Sequence, residues 1–460
     1  MTAGRVLDRQ ILALAVPALG ALIAEPVFVL VDSALVGHLG RAQLAGLTLA
    51  STLLITAIGL FVFLAYATTA SVGRLIGAGR PQEAMRSGVE GMWLALAVGL
   101  LVGTIGFILA PQAIAAMGGT GEVAEHGVAY LRASLPGLPG MLLVLAATGV
   151  LRGMLDTRTP LLVAGIGAIV NAGLNVLFIY GFGWGIAGSG AGTALTQIGM
   201  GLVLAIRVAK GARERGVSLR PSLAGLGRGL NDGAPLFIRT LTLRIAVLIT
   251  VMVAASLGEI SLAAHQVVNA LWGFAAFALD ALAIASQALI GHALGATRSD
   301  QARAVLKRTL QWGAGGGAVL GLIIAALSIP LASLFTQDPA VRSAAVAGLL
   351  VIAVAMPLAG VVFVLDGVLI GAGDGRFLAW AGVVTLVIYL PAVWAVNTWA
   401  PRGDGQEGLA LALLWIAFSG AFMLARAGSN WWRARGDGWM VLGVRTNQTT
   451  TPGPSGPPTG

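Results

Sequence analysis

The chain has 460 residues, of which 57% are hydrophobic and only 10% charged, and its mean hydropathy is +0.88. A water-soluble domain needs far more surface charge than this, so that class is excluded and a helical protein of the lipid bilayer remains. The formal charge of +9 does not point to nucleic acid, because the basic residues sit in particular loops and not on one soluble face.

Taken in chain order, apolar runs long enough to cross about 30 Å of hydrocarbon as helices fall near 11–36, 45–72, 89–110, 128–150, 160–182 and 187–208. The first run is too long for a cleavable signal peptide and lacks a small-residue cleavage site, so it reads as a span. A second set follows near 233–256, 262–291, 311–335, 343–370, 377–399 and 407–427. The pattern predicts twelve transmembrane helices. They divide into a lobe of six over 1–208, a basic, glycine-rich cytoplasmic connection over 209–231, a second lobe of six over 232–430, and a tail over 431–460. The Pro/Gly/Thr-rich end of that tail, 446–460, is expected to be disordered. Of the 28 Lys and Arg residues, 22 (Arg74, Arg152 and Arg426 among them) fall in loops on the side that holds both termini, which places that side in the cytoplasm.

Residues 36–158 are echoed by 254–376 at a constant offset of 218. Pro139, Asp156 and Arg158 recur as Pro357, Asp374 and Arg376, and Gly73 and Gly77 as Gly291 and Gly295. Two tandem copies with an even number of spans share one orientation, so an axis along the membrane normal should relate them. A substrate path is expected where the copies meet.

Ionisable groups are costly in lipid, so those inside spans are the functional candidates. Asp32, in the outer half of the first span, is a carboxylate able to take up H⁺ or Na⁺, and Glu25 precedes it on the same helix face. Asn171 and Asn175 stand at i and i+4 and face one way, and Thr193 follows a glycine-rich turn. One carboxylate, two amides and a hydroxyl suit a small hard cation, or else they tie helices together. Arg244, His265, Asn269 and Asp280 either line a polar cavity or neutralise one another. Arg244 facing Asp280 or Glu25 is the expected pair, and Arg239 and Asp366 also lie within spans.

Cysteine is absent and the four His show no ligand spacing, so no metal centre or cofactor is expected. HExxH, GxSxG and CxxC are missing too, which argues against an intramembrane enzyme and leaves no catalytic set to name.

At VDSALVGHLG (31–40), LAGLTLAS (44–51), LRGMLDTRTP (151–160) and NAGLNVLFIYGFGWGIAGSGAGTA (171–194), the chain resembles the multidrug and toxic compound extrusion (MATE) transporters, in particular their bacterial DinF-like branch. The resemblance implies two six-helix lobes around a central cavity and export of organic solutes in exchange for H⁺ or Na⁺. It places the first-helix aspartate on Asp32, the fifth-helix asparagine on Asn171, the sixth-helix threonine on Thr193 and the bending proline of the first helix on Pro17. Where many members carry a second aspartate, this chain has Asn175, which shifts the expectation toward a proton on Asp32. The reading is therefore an antiporter for amphipathic or cationic small molecules, monomeric, in the bacterial inner membrane. Two rivals are a lipid-linked saccharide flippase of the same superfold, disfavoured by having only Arg239 and Arg244 in its spans, and an uncoupled channel or scaffold. Carried forward by 218, Asp32 and Asn171 fall on Thr250 and Tyr389, so the proposed ion site is not duplicated.

Overall fold

The computed structural model describes residues 3–444 except position 404, so the expectation for 446–460 lies outside the described residues. Among these residues, twelve helices are long and apolar enough to cross a bilayer. The first lobe contains α1 (Gly4–Gly37), α2 (Arg41–Gly77), α3 (Pro81–Ala116), α4 (Gly121–Gly153), α5 (Arg158–Gly181) and α6 (Gly185–Arg213). The second contains α7 (Leu223–Ser256), α8 (Glu259–Gly295), α9 (Ser299–Ala326), α10 (Pro339–Gly371), α11 (Gly375–Trp399) and α12 (Glu407–Arg435).

Two boundaries differ from the sequence expectation, each for a local reason. The ninth apolar run, 311–335, is two helices. The ring of Pro330 clashes with the carbonyl four residues back, at Ala326, so α9 stops there and a short helix, Ser328–Phe335, follows. The basic connection is also shorter than 209–231. Helix α6 continues to Arg213, and α7 begins at Leu223, where the Ser222 hydroxyl caps it by accepting from the Gly225 amide at 3.0 Å. Only 214–222 lies between the two helices.

The repeat is visible in backbone conformation. Gly79 and its counterpart Thr297 both adopt positive φ, 70° and 58°, at the end of α2 and α8. Leu155 and Gly373 do the same after α4 and α10, at 63° and 70°. In each pair one copy keeps the glycine that this conformation favours, and the other bears the strain of a side chain.

Glycine also sets the helix spacing. A Cβ on Gly99 would sit 2.5 Å from the Pro139 Cα, and one on Gly317 would sit 2.9 Å from the equivalent Pro357 Cα. Each lobe thus repeats the same close α3–α4 or α9–α10 crossing. At the lobe junction the pattern becomes reciprocal. A Cβ on Gly77 would lie 2.8 Å from the Cα of His292, and one on Gly295 would lie 3.0 Å from the Cα of Arg74. His292 is the counterpart of Arg74, so α2 and α8 exchange equivalent contacts, as a two-fold axis passing between them requires.

The buried apolar core is continuous on the side that holds the termini and divided beyond it. Ile284, Leu289, Val364 and Leu369 of the second lobe belong to one cluster with Val72, Leu75, Ala147 and Leu151 of the first. Toward the opposite face the second lobe has a separate core around Val268, Leu349, Leu411 and Trp415. Polar ties follow the same division. Arg308 of α9 holds Asp8 of α1, the His292 imidazole meets the Gly153 carbonyl at 2.7 Å, and Gln287 donates to the Tyr66 carbonyl at 2.7 Å. The lobes are thus joined most closely on the terminal side.

The segment after α12 crosses that junction. Gly443 donates its amide to the Leu294 carbonyl at 2.9 Å and accepts from Arg74 of the first lobe at 2.9 Å, while Arg74 also reaches the carbonyls of Val441 and Ala372. Trp439 is 1% exposed beneath the junction, with its indole N–H on the Ala434 carbonyl.

Candidate functional site

Asp32 is enclosed within the first lobe. It lies on the face of α1 opposite the exposed apolar stripe Val16, Ile23, Val27 and Leu30, and only 3% of it is accessible. Oδ1 accepts from the Asn175 amide; Oδ2 accepts from the Tyr130 hydroxyl at 3.1 Å and the Thr193 hydroxyl at 3.1 Å. Asn171 donates to Thr193 at 3.3 Å and accepts from Asn175 at 3.3 Å, which joins α1, α4, α5 and α6 in one network. The i, i+4 spacing of the two asparagines does what helical periodicity promised. Three neutral donors point at the carboxylate, and among the described residues no basic side chain pairs with it.

Local backbone features make room for this network. Gly192 lets Asn175 approach α6, since a Cβ there would collide with the Asn175 amide oxygen and lie 3.3 Å from its Cγ and backbone N. That amide oxygen has no hydrogen-bond partner. Immediately after Asn175, α5 widens into a π-turn over Leu177–Gly181, and Tyr180 in that turn donates to the Leu35 carbonyl of α1 at 2.7 Å. Both Pro17 and Pro26 lie inside the continuous α1, and each removes one backbone hydrogen bond from it.

The sequence reading missed Tyr130. Its one signal was a phenol in an apolar span of a chain with only four Tyr. The position equivalent to the site in the second lobe is neutral but still paired. Thr250 and Tyr389, the counterparts of Asp32 and Asn171, share a 2.7 Å hydrogen bond.

The other candidates do not form one site. Asp366 of α10, 4% exposed, accepts from Arg239 of α7, from Arg426 of α12 and from Asn430 at 2.6 Å. Arg426 is therefore a buried charge and not a loop residue, because α12 continues to Arg435 past the end of its apolar run. Arg74 and Arg152, also assigned to loops, occupy the buried last turns of α2 and α4. Asp280 of α8 receives the Tyr66 hydroxyl of α2 at 3.4 Å, with Arg152 and Arg239 nearby.

Arg244 makes no ion pair with Asp280 or Glu25. Its guanidinium lies over Gly59 of α2, where any side chain would collide with it. Glu25 is exposed on the face of α1 turned from the apolar stripe. His265 is no cavity residue in this arrangement. It is 1% exposed inside the second lobe and stacks on Trp415 at 5.4 Å, while Asn269, one turn away, is half-buried.

Two bundles of six helices from one duplicated half, the first of them enclosing a carboxylate held by neutral donors, define a repeat-built membrane transporter. The MatE family model matches residues 17–177 and 235–394, and the two matches begin 218 residues apart, at the offset of the internal repeat. The chain is 31% identical to Protein DETOXIFICATION 44, chloroplastic, from Arabidopsis thaliana over 394 residues, covering 82% of this chain and 74% of that protein. It is 27% identical to DNA damage-inducible protein F of Escherichia coli (strain K12) over 424 residues, covering 89% and 92%. In fold it is similar to the Vibrio cholerae MATE transporter VcmN in the bent form, with a TM-score of 0.82 at 23% identity over 95% of this chain and 99% of that one. The chain belongs to the MatE family of multidrug and toxic compound transporters and is not an enzyme.

Proposed function

We propose that this transporter exports an amphipathic or cationic organic solute in exchange for H⁺ or Na⁺, with Asp32 as the coupling group. The observation that carries the proposal is the carboxylate with three neutral donors and no basic partner. A buried charge of that kind is stable only if a cation neutralises it, so its occupancy couples to any motion that opens or closes the site. Exchange then requires only that ion and solute favour different states of the cleft.

The geometry favours H⁺ over Na⁺. A proton on Asp32 Oδ2 requires one of two hydroxyls, Tyr130 or Thr193, to turn from donor to acceptor. A sodium ion would also need the Asn175 amide to rotate and present its unpartnered oxygen. The absence of a second carboxylate at Asn175 acts in the same direction. The close junction on the terminal side supports an outward-facing state, in a monomer with both termini in the cytoplasm of a bacterial cell.

The test is solute flux in proteoliposomes with pH and Na⁺ gradients imposed separately, using a fluorescent aromatic cation as probe. Uphill flux on the pH gradient alone, absent in Asp32→Asn, is the expected result. Flux indifferent to both gradients would replace the antiporter by an uncoupled channel.

A further inference from the structure

The junction between the lobes carries more positive charge than its carboxylates balance. Arg152, Arg239 and Arg426 face Asp280 and Asp366, three guanidinium groups against two acids, all within apolar helices. Arg239 and Arg426 both use Oδ2 of Asp366. Arg152 is the unusual one. It is 7% exposed, yet among the described residues it donates no hydrogen bond and has no carboxylate within 4.0 Å; Asp280 and Tyr66 are only its through-space neighbours. Unlike Nε of Arg74, its guanidinium nitrogens are not sealed off, so these donors keep a residual accessibility.

A guanidinium has five donors in a planar fork that matches two oxygens of one oxyanion, and leaving such a fork unpaired in low dielectric is costly. The neighbours suit the same ligand. The Tyr66 hydroxyl is held only loosely, at 3.4 and 3.5 Å from the two oxygens of Asp280, and the Arg239 guanidinium lies 6.0 Å above the Tyr66 ring.

We infer that Arg152, with Tyr66 and Arg239 beside it, forms an anion site at the lobe junction for a single oxyanion group: the carboxylate, phosphate or sulfate of an organic molecule, or a free inorganic anion. Arg152 and Tyr66 belong to the first lobe, Arg239 and Asp280 to the second. An anion there holds the lobes together on the terminal side and is released when they part. This role in the cycle rests on the proposed alternating access, but the binding itself does not.

The full chain, purified in detergent, is titrated at constant ionic strength with benzoate, inorganic phosphate and chloride, and binding is followed by calorimetry. Saturable binding of at least one probe is expected, with Kd raised tenfold or more in Arg152→Gln and restored to within a few-fold in Arg152→Lys. Tyr66→Phe, which keeps the ring and loses one donor, should weaken binding several-fold and serves if Arg152→Gln fails to fold. Benzoate bound in preference to phosphate and chloride identifies an organic acid as the ligand, and the reverse identifies a free anion. Asp32→Asn should still bind a probe saturably, with at most a few-fold change in Kd, which separates this result from failure of the coupling scheme. No saturable binding of any probe to the parent chain, or an unchanged Kd in Arg152→Gln, overturns the inference.

Discussion

Replacing Asp32 by Asn should abolish coupling while leaving the fold nearly as stable as before. The carboxylate accepts from three donors: the Asn175 amide on Oδ1, and the Tyr130 and Thr193 hydroxyls on Oδ2. An asparagine of the same shape offers one acceptor oxygen and one NH₂. If its oxygen takes the place of Oδ2, both hydroxyls keep their partner and the NH₂ faces the NH₂ of Asn175. Rotating the Asn175 amide resolves that conflict, because its oxygen is unpartnered and can accept. The rotation gives up the 3.3 Å bond from Asn175 to Asn171. The net loss is one neutral hydrogen bond, about 0.5–1.5 kcal/mol, partly offset because a buried charge is no longer desolvated. The assay is paired: thermal unfolding in detergent, and pH-driven flux in proteoliposomes. A melting temperature within a few degrees of the parent with no uphill flux is the expected outcome. Retained uphill flux, or a variant that cannot be purified folded, would refute the reasoning.

Gly192→Ala drives a methyl group into the Asn175 side chain, and such overpacking costs about 1–3 kcal/mol. It should impair transport more than Thr193→Ser, which keeps the hydroxyl, as proteoliposome flux would show. Gly77→Ala places a Cβ against the backbone of His292, which can be relieved only by separating α2 from α8. The chain contains no cysteine, so a single Ala288→Cys reporter at that seam should react faster with a maleimide in the Gly77→Ala background than without it. Leu155→Gly and Thr297→Gly remove side chains from positive φ, as Gly373 and Gly79 already do in the other copy, and each should raise thermal stability by about 1 kcal/mol.

Much of this architecture was legible in the sequence because bilayer physics restricts the alternatives. Apolar length gave the twelve helices, the offset gave the duplication, and helical spacing put Asn171 and Asn175 on one face toward Asp32. What stayed hidden depends on contacts between helices. Periodicity assigns Arg244 to a face of α7 but does not say that the α2 backbone at Gly59 fills that face, so the expected partners Asp280 and Glu25 were wrong. Arg426 stands where the apolar run ends, and only the continuation of α12 shows it turned inward toward Asp366. Tyr130 escaped because its counterpart, Gly348, carries no side chain that would single out the position.

The segment under the lobe junction has a consequence for biosynthesis. Residues 437–444 follow both lobes in the chain and emerge from the ribosome only after all twelve helices, yet they supply the carbonyls that Arg74 of α2 grips and the indole of Trp439 beneath the junction. The buried charge of Arg74, made early, waits for acceptors made late. Each lobe can pack within the membrane during synthesis, but the terminal-side seal is completed last. A newly made transporter therefore acquires its ability to hold that side closed as the final step of its maturation.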